Sequence, residues 1–502
     1  MGRNLEEQEV MRGSGVLLAV SSLPSEYGIG TMGDAAFRFV DLLVDLKQKY
    51  WQILPIGPTS FGDSPYQAMS AFAGNPYLID LDELVRQGLL TREEIRCYNW
   101  GNDESTIDYA ALFENRYRIL KQAFERFDQR DSQFIKFEDE NADWVEDYGL
   151  FMALKELFGF VSWQEWPEEI KNKQPVALAK YRKELYNNIR FWVFCQYKFY
   201  EQWTKLKEYA NFRGIQLIGD VSFFVGMDSV DVWVHPEQFL VDENGEAVYV
   251  AAAGPDKFSH TGQVWGNPLY NWKNMEEDGF LWWKHRMSIS SQLFDVIRID
   301  HFAGFAKTYM VPKNSPDASG GRWMKGPGRK LIDALNPVLQ GKTVIADDYG
   351  GKALVPGTKK LLHKAGWLGT KVLMFAFDGD PANEHLPHNY PDGHWVVYAG
   401  THDNDTIVGY FRGKTEYELA YLYEYLNIEK QDEIPDALIR CAYASVADIA
   451  IIQMQDLLKL GNEARMNKPA TVGANWRWRF GKEQLTENRR AWIRNLAAVY
   501  RR

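Results

Sequence analysis

The chain has 502 residues, 45% hydrophobic and 25% charged, with a formal net charge of −11. This is the composition of an ordinary soluble globular protein, and its acidic balance excludes nucleic-acid partners, whose binding rests on clustered Lys and Arg. No apolar run approaches the roughly 20 residues of a membrane helix, and the acidic start Met1–Glu9 lacks a signal peptide's apolar stretch, so a cytoplasmic protein with no membrane partner is expected.

In chain order, Gly15 to Val20 has strand character. A helix follows with Asp34 near its start and Phe37, Phe39, Val40, Leu42, Leu43 and Leu46 on a broad apolar face. Tyr50 to Ile56 is a second strand, closed by Gly57-Pro58. Such alternation implies parallel strands with covering helices. Residues 81–212 break the rhythm: they are mostly helical and charged, end in a long helix from Asn187 to Tyr209, and form an inserted subdomain. Strand character returns at Ile215 to Val221, within a barrel segment 213–224. Residues 225–290 are rich in Gly, Asn, Pro and aromatics, and are expected as a loop-rich insertion over a cleft. Strand–helix units resume at Val296, Val344, Val372 and Val396, so 291–502 is assigned to the rest of the barrel that residues 1–80 begin. The expected fold is α/β, a (β/α)8 TIM-type barrel with large inserted helical and loop-rich subdomains.

Two motifs are decoys. Gly28-Ile-Gly30-Thr-Met-Gly33 matches the dinucleotide pattern, yet no strand ends in an acid about 20 residues later, as that site requires. Lys325-Gly-Pro-Gly-Arg-Lys330 lacks the Walker pattern and suits a turn feeding a helix. Cys97, Cys195 and Cys441 are few and far apart, which suggests neither disulfides nor zinc. The histidines show no metal-ligand spacing, so no metal and no cofactor is expected.

Three strand ends carry the chemistry: Val296-Ile-Arg-Ile-Asp300-His301, Val344-Ile-Ala-Asp347-Asp348 and Val396-Val-Tyr-Ala-Gly-Thr-His402-Asp403. Polar groups gathered at the carboxyl ends of parallel strands mark a barrel's active face. A retaining glycosidase needs two carboxyl groups roughly 5–5.5 Å apart, one nucleophile and one proton donor. Side chains alternate along a strand, so Arg298 shares a face with Asp300 and sets a guanidinium beside that carboxylate. The plain alternative is a strand-end ion pair, and the local sequence does not separate the two. Aromatic residues make up 14% of the chain, and rings in loops such as Trp265-Gly-Asn-Pro-Leu-Tyr270-Asn-Trp272 suit the apolar faces of sugars.

Longer motifs narrow the choice. Ser22-Leu-Pro, Trp51-Gln-Ile-Leu-Pro-Ile-Gly-Pro, Gly62-Asp-Ser-Pro-Tyr66-Gln, Thr261-Gly-Gln-Val-Trp265-Gly-Asn-Pro-Leu-Tyr270, Arg298-Ile-Asp300-His301-Phe and Gly400-Thr-His402-Asp403-Asn-Asp-Thr406 resemble the 4-α-glucanotransferases (amylomaltases) of the α-amylase superfamily. So do Phe375-Ala-Phe-Asp378-Gly-Asp-Pro, Leu386-Pro-His-Asn-Tyr390 and Gly461-Asn-Glu-Ala-Arg-Met-Asn467, over nearly the whole chain. The resemblance implies transfer of α-1,4-glucan segments between malto-oligosaccharides by double displacement. It implies Asp300 as nucleophile, Asp347 as acid/base and Asp403 as the carboxylate that supports the transition state. Asp220, Ser64, Tyr66, Gln263, Trp265, Arg298, His301, Asp348, Asp378 and His402 then match sugar-binding positions. The family pattern has Glu where this chain has Asp347, and a non-catalytic glucan-binding barrel and an α-glucan hydrolase stand as the alternatives. The loop from Ala251 to Trp265 departs from the pattern too, with Lys257 before Phe258 in place of an aromatic residue.

Overall fold

Eight parallel strands form a barrel in the computed structural model, which describes residues 10–60, 62–255, 259–348, 355–481 and 483–502. The start Met1–Glu9 and the loop residues Asp256, Lys257 and Phe258 lie outside that range. In chain order the strands are β1 (Gly13–Leu17), β2 (Tyr50–Gln52), β3 (Gln216–Val221), β4 (Tyr249–Ala253), β5 (Gln263–Pro268) and β6 (Val296–Ile299). There follow β7 (Lys307–Pro312), β8 (Arg322–Lys325), β9 (Thr343–Ala346), β10 (Gly369–Val372), β11 (Trp395–Tyr398) and β12 (Ile449–Gln453). The barrel order is β10-β11-β12-β1-β2-β3-β6-β9. Leu368 closes the ring: its N–H donates to Val344 O at 2.9 Å, and its carbonyl accepts from Ala346 N at 2.8 Å.

The barrel strands are buried almost throughout, as parallel strands with both faces covered must be. Their interior is partly polar: the Tyr398 hydroxyl donates to Gln52 Oε1 at 2.8 Å. Gly15 makes room for this filling, since a Cβ there would sit 2.5 Å from Tyr50. The first covering helix, Asp34–Asp45, buries Ala35, Ala36, Phe39, Val40 and Leu43 on one stripe.

Six of the eight barrel strands fall where the sequence places them, and a seventh, β10, overlaps the expected strand only at its last residues. The eighth, β12, carries no acidic end and follows directly on the helix Ile434–Ala444. β10 stops at Val372, because the chain turns into a short 3-10 helix and Met374 N donates to Ala399 O. Helices fill the stretch between β2 and β3, ending in the 27-residue helix Tyr186–Phe212. That helix packs on the end of the helix Leu281–Leu293 through Trp203, whose indole N–H donates to Leu293 O at 3.0 Å.

The segment expected as loops contains half of an antiparallel sheet, in the order β5-β4-β7-β8. Its other half, β7 and β8, comes from within the stretch assigned to the barrel. No described helix is long and apolar enough to cross a membrane.

Both decoys are structural. Asp80 Oδ1 accepts from Glu83 N, its Oδ2 accepts from Thr31 Oγ1 at 2.7 Å, and a Cβ on Gly33 would lie 2.0 Å from that carboxylate. An acid packed on Gly33 leaves no place for a phosphate there. Lys325 ends β8, and the turn after it starts the helix Arg329–Leu335.

Candidate active site

The carboxyl ends of β3, β6 and β9 converge on one guanidinium. Arg298 is 1% exposed. Its Nη1 donates to both oxygens of Asp220, at 2.7 and 2.6 Å, and to Asp300 Oδ1 at 3.2 Å. Its Nη2 lies 2.9 Å from Asp347 Oδ2. Burial works against the arginine's charge, but Asp220, Asp347 and Asp300 outweigh it and hold that charge firmly. A buried cation facing three carboxylates is far from a plain surface ion pair.

The three acids differ in access. The Asp220 side chain is fully sealed, Asp347 is 9% exposed and Asp300 is 24% exposed. Asp220 also accepts from the Tyr66 hydroxyl at 2.8 Å, and burial raises its proton affinity against the pull of Arg298. Asp347 accepts from His301 N at 3.3 Å. Burial pushes its carboxyl well above the usual range, Arg298 opposes that, and Asp300 adds to it. Asp347 therefore holds a proton where an ordinary carboxylate has lost it. Its second oxygen, Oδ1, is buried and has no hydrogen-bond partner among the described residues.

A cavity of about 1110 Å³ opens above this cluster. That exceeds the usual size of a small-molecule cleft and suits an extended ligand. Ser64, Tyr66, Gln263, Trp265, His301 and His402 line it, as do Asp300, Asp347 and Asp403. Tyr66 stacks on His402 at 5.1 Å and 14°, and Trp265 meets His301 edge-on at 5.0 Å. Burial lowers the His301 pKa to about 4, so its ring is neutral at pH 7. His301 Nε2 and His402 Nδ1 are buried at the wall without partners among the described residues. Such unspent polar atoms call for a partner, and a polyhydroxylated ligand supplies one. Asp403 Oδ1 accepts from Asn467 Nδ2 at 2.6 Å.

Of the positions matched to sugar binding, Asp220 and Arg298 lie sealed beneath the cavity and do not line it, and two more lie elsewhere. Asp348 turns away from the cavity: its Oδ1 accepts from Thr370 N at 2.8 Å, and burial lifts its pKa to about 6. Asp378 is exposed in the loop after β10, and its Oδ1 accepts from Asp380 N in the same loop at 3.1 Å.

Other wall residues escaped the sequence reading. Trp476 lines the cavity with its ring 5.7 Å from Tyr66, and takes a left-handed φ of 66°. Ala470, on the same wall, has φ 63°. Strain of this kind collects at functional sites. The end of the Gly461–Asn467 motif was the one sequence signal pointing to Asn467. Among the described residues, no group of three or more His, Cys, Asp or Glu could hold a metal ion.

A family profile described as 4-alpha-glucanotransferase matches residues 18–484. The chain is 43% identical over 488 residues to a 4-alpha-glucanotransferase of Clostridium butyricum, covering 96% of this chain and 99% of that one. It is 42% identical over 505 residues to a 4-alpha-glucanotransferase of Thermus thermophilus, covering 98% of this chain and 100% of that one. An amylomaltase from Streptococcus agalactiae, solved in complex with acarbose, shares 41% identity and a TM-score of 0.94, covering 98% of this chain and 99% of that one.

Proposed function

The chain belongs to the 4-α-glucanotransferase family, a family of glycosyl-transferring enzymes, and from that premise we infer that it moves α-1,4-glucan segments between malto-oligosaccharides by a retaining double displacement carried by Asp300 and Asp347. The observation behind this reading is the Arg298 cluster. One guanidinium holds three carboxylates in a small volume, and the most accessible of them, Asp300, faces the cavity.

In the first step an Asp300 oxygen attacks the anomeric carbon, and the glycosidic C–O bond breaks. The proton on Asp347 goes to the departing O4, which releases the reducing-end segment. In the second step the 4-hydroxyl of an incoming glucan gives its proton to Asp347 and attacks the same carbon. The ester to Asp300 breaks, and the configuration is retained after two inversions. Arg298 steadies the carboxylates through both steps. Asp220 fixes Arg298 and Tyr66, and Asp403, held by Asn467, receives sugar hydroxyls. His301 and His402 spend their free ring nitrogens on the same sugar, with Trp265 and Tyr66 as apolar walls. Transfer also requires that a sugar hydroxyl outcompete water, which the aromatic walls favour by binding and desolvation.

Maltotriose as sole substrate tests the reading. The expected result is glucose together with a ladder of longer oligomers. Reducing ends that accumulate without a ladder would make the protein a hydrolase, and binding without turnover would make it a glucan-binding barrel.

A further inference from the structure

The loop that follows β10 carries residues that the cleft does not use. Phe377, Asp378 and His388 belong to motifs that resemble the family's, yet none of them lines the cavity. Beside them runs the helix Glu416–Leu426, capped by Thr415 and Glu418. It buries Leu419 and Leu422. Tyr417, Tyr421 and Tyr425 recur at every fourth residue, so they form one stripe along the helix.

Tyr417 is 91% exposed. Tyr425, at the other end, lies 6.1 Å from Tyr421, 5.6 Å from Phe377 and 5.5 Å from His388. His388 is fixed on both sides. Its Nε2 lies 2.9 Å from Pro381 O, which can only accept, so Nε2 carries the proton. Its Nδ1 then accepts from the Tyr425 hydroxyl at 3.1 Å. The result is a surface of five aromatic rings along a stripe about 12 Å long. Glu424, Asp378 and Asp380 stand exposed around it.

We propose that this surface is a second binding site for α-1,4-glucan, which holds a long chain while its end is processed in the cleft. Flat rings stack on the C–H faces of glucose, and the surrounding carboxylates accept from its hydroxyls. The same carboxylates repel polyanions. The surface is built on the catalytic end of the barrel: its loop follows β10, β10 and β11 are neighbours, and β11 leads through Thr401 and Asp403 into the cavity. The proposal rests on the glucan reading of the cleft, which the maltotriose ladder tests separately.

The test is the double variant Tyr417→Ala/Tyr421→Ala, assayed on maltotriose and on long-chain amylose. On maltotriose, too short to use both sites, kcat/KM should match that of the parent. On amylose, kcat/KM should fall about three- to tenfold, as expected for two lost ring contacts, with KM carrying the change. In native gels cast with amylose, the variant should migrate faster than the parent. Unchanged amylose kinetics and migration would overturn the proposal, and so would an equal loss on both substrates. A parent protein that makes no ladder would instead overturn the reading of the cleft.

Discussion

Changing Asp300 to Asn should reduce transfer from maltotriose by at least on the order of 10⁴-fold, because no other group can form the covalent intermediate. Asn keeps the shape of Asp and can still face Arg298, so glucan affinity should stay within a few-fold of the parent. The contrast between lost turnover and kept binding matters, because a misfolded variant would lose both. Asp220 is the internal comparison. It is sealed from solvent and shares its two oxygens with Arg298 and Tyr66. Asp220→Asn should therefore weaken binding as well as rate, since it frees the arginine that organises the other acids. If Asp300→Asn kept near-parental transfer, the nucleophile would have to be sought elsewhere.

The second large effect concerns Asp347. General acid help is worth about 10²–10⁴-fold, so Asp347→Asn should slow maltotriose transfer by that order. It should do far less to α-maltosyl fluoride, whose leaving group needs no proton. The raised proton affinity of Asp347 also fixes a sign. The parent keeps its acid form as pH climbs past the ordinary carboxylate range, then loses rate as that proton finally departs. This basic limb should vanish in Asp347→Asn.

Lengthening the side chain should act in the opposite direction. One Asp347 oxygen is tied to Arg298 and the other is buried without a partner among the described residues, so the carboxyl meets the cavity with only 9% of its side chain exposed. A misplacement of about 1 Å can cost on the order of a hundredfold in rate. Asp347→Glu should accordingly raise transfer at least several-fold. An equal or lower rate would mean that the backbone is already fitted to Asp.

The carboxylate cluster was legible because it sits at strand ends, where an apolar run stopping on an acid is a local signal. Arg298 and Asp300 share a face by simple alternation, and the structure places them in contact. The same alternation sends Asp348 to the opposite side from Asp347, although resemblance alone matched both to the site. β12 was hidden because Ile449-Ala-Ile-Ile is a short apolar run after a helix, and such a run fits strand and buried helix equally well. The antiparallel sheet was hidden for a different reason. β4 pairs with β7 across the sequence, Tyr249 with Pro312, and its register with β5 slips between Val250 and Ala252. Long-range pairing and an irregular register leave no clean local alternation to read. Asn467 and Trp476 reach the cavity from the far end of the chain, and only tertiary folding brings them to Asp403 and Tyr66.

The proposed covalent intermediate is open to a direct test. A maltosyl fluoride carrying a second fluorine on its reacting ring forms the glycosyl ester and then turns over slowly, so the labelled protein can be digested and its peptides weighed. The mass increase should fall on the peptide bearing Asp300 and should be absent from Asp300→Asn. Label on a peptide bearing Asp220, Asp347 or Asp403, or steady fluoride release with inverted product and no label at all, would contradict the double displacement at Asp300.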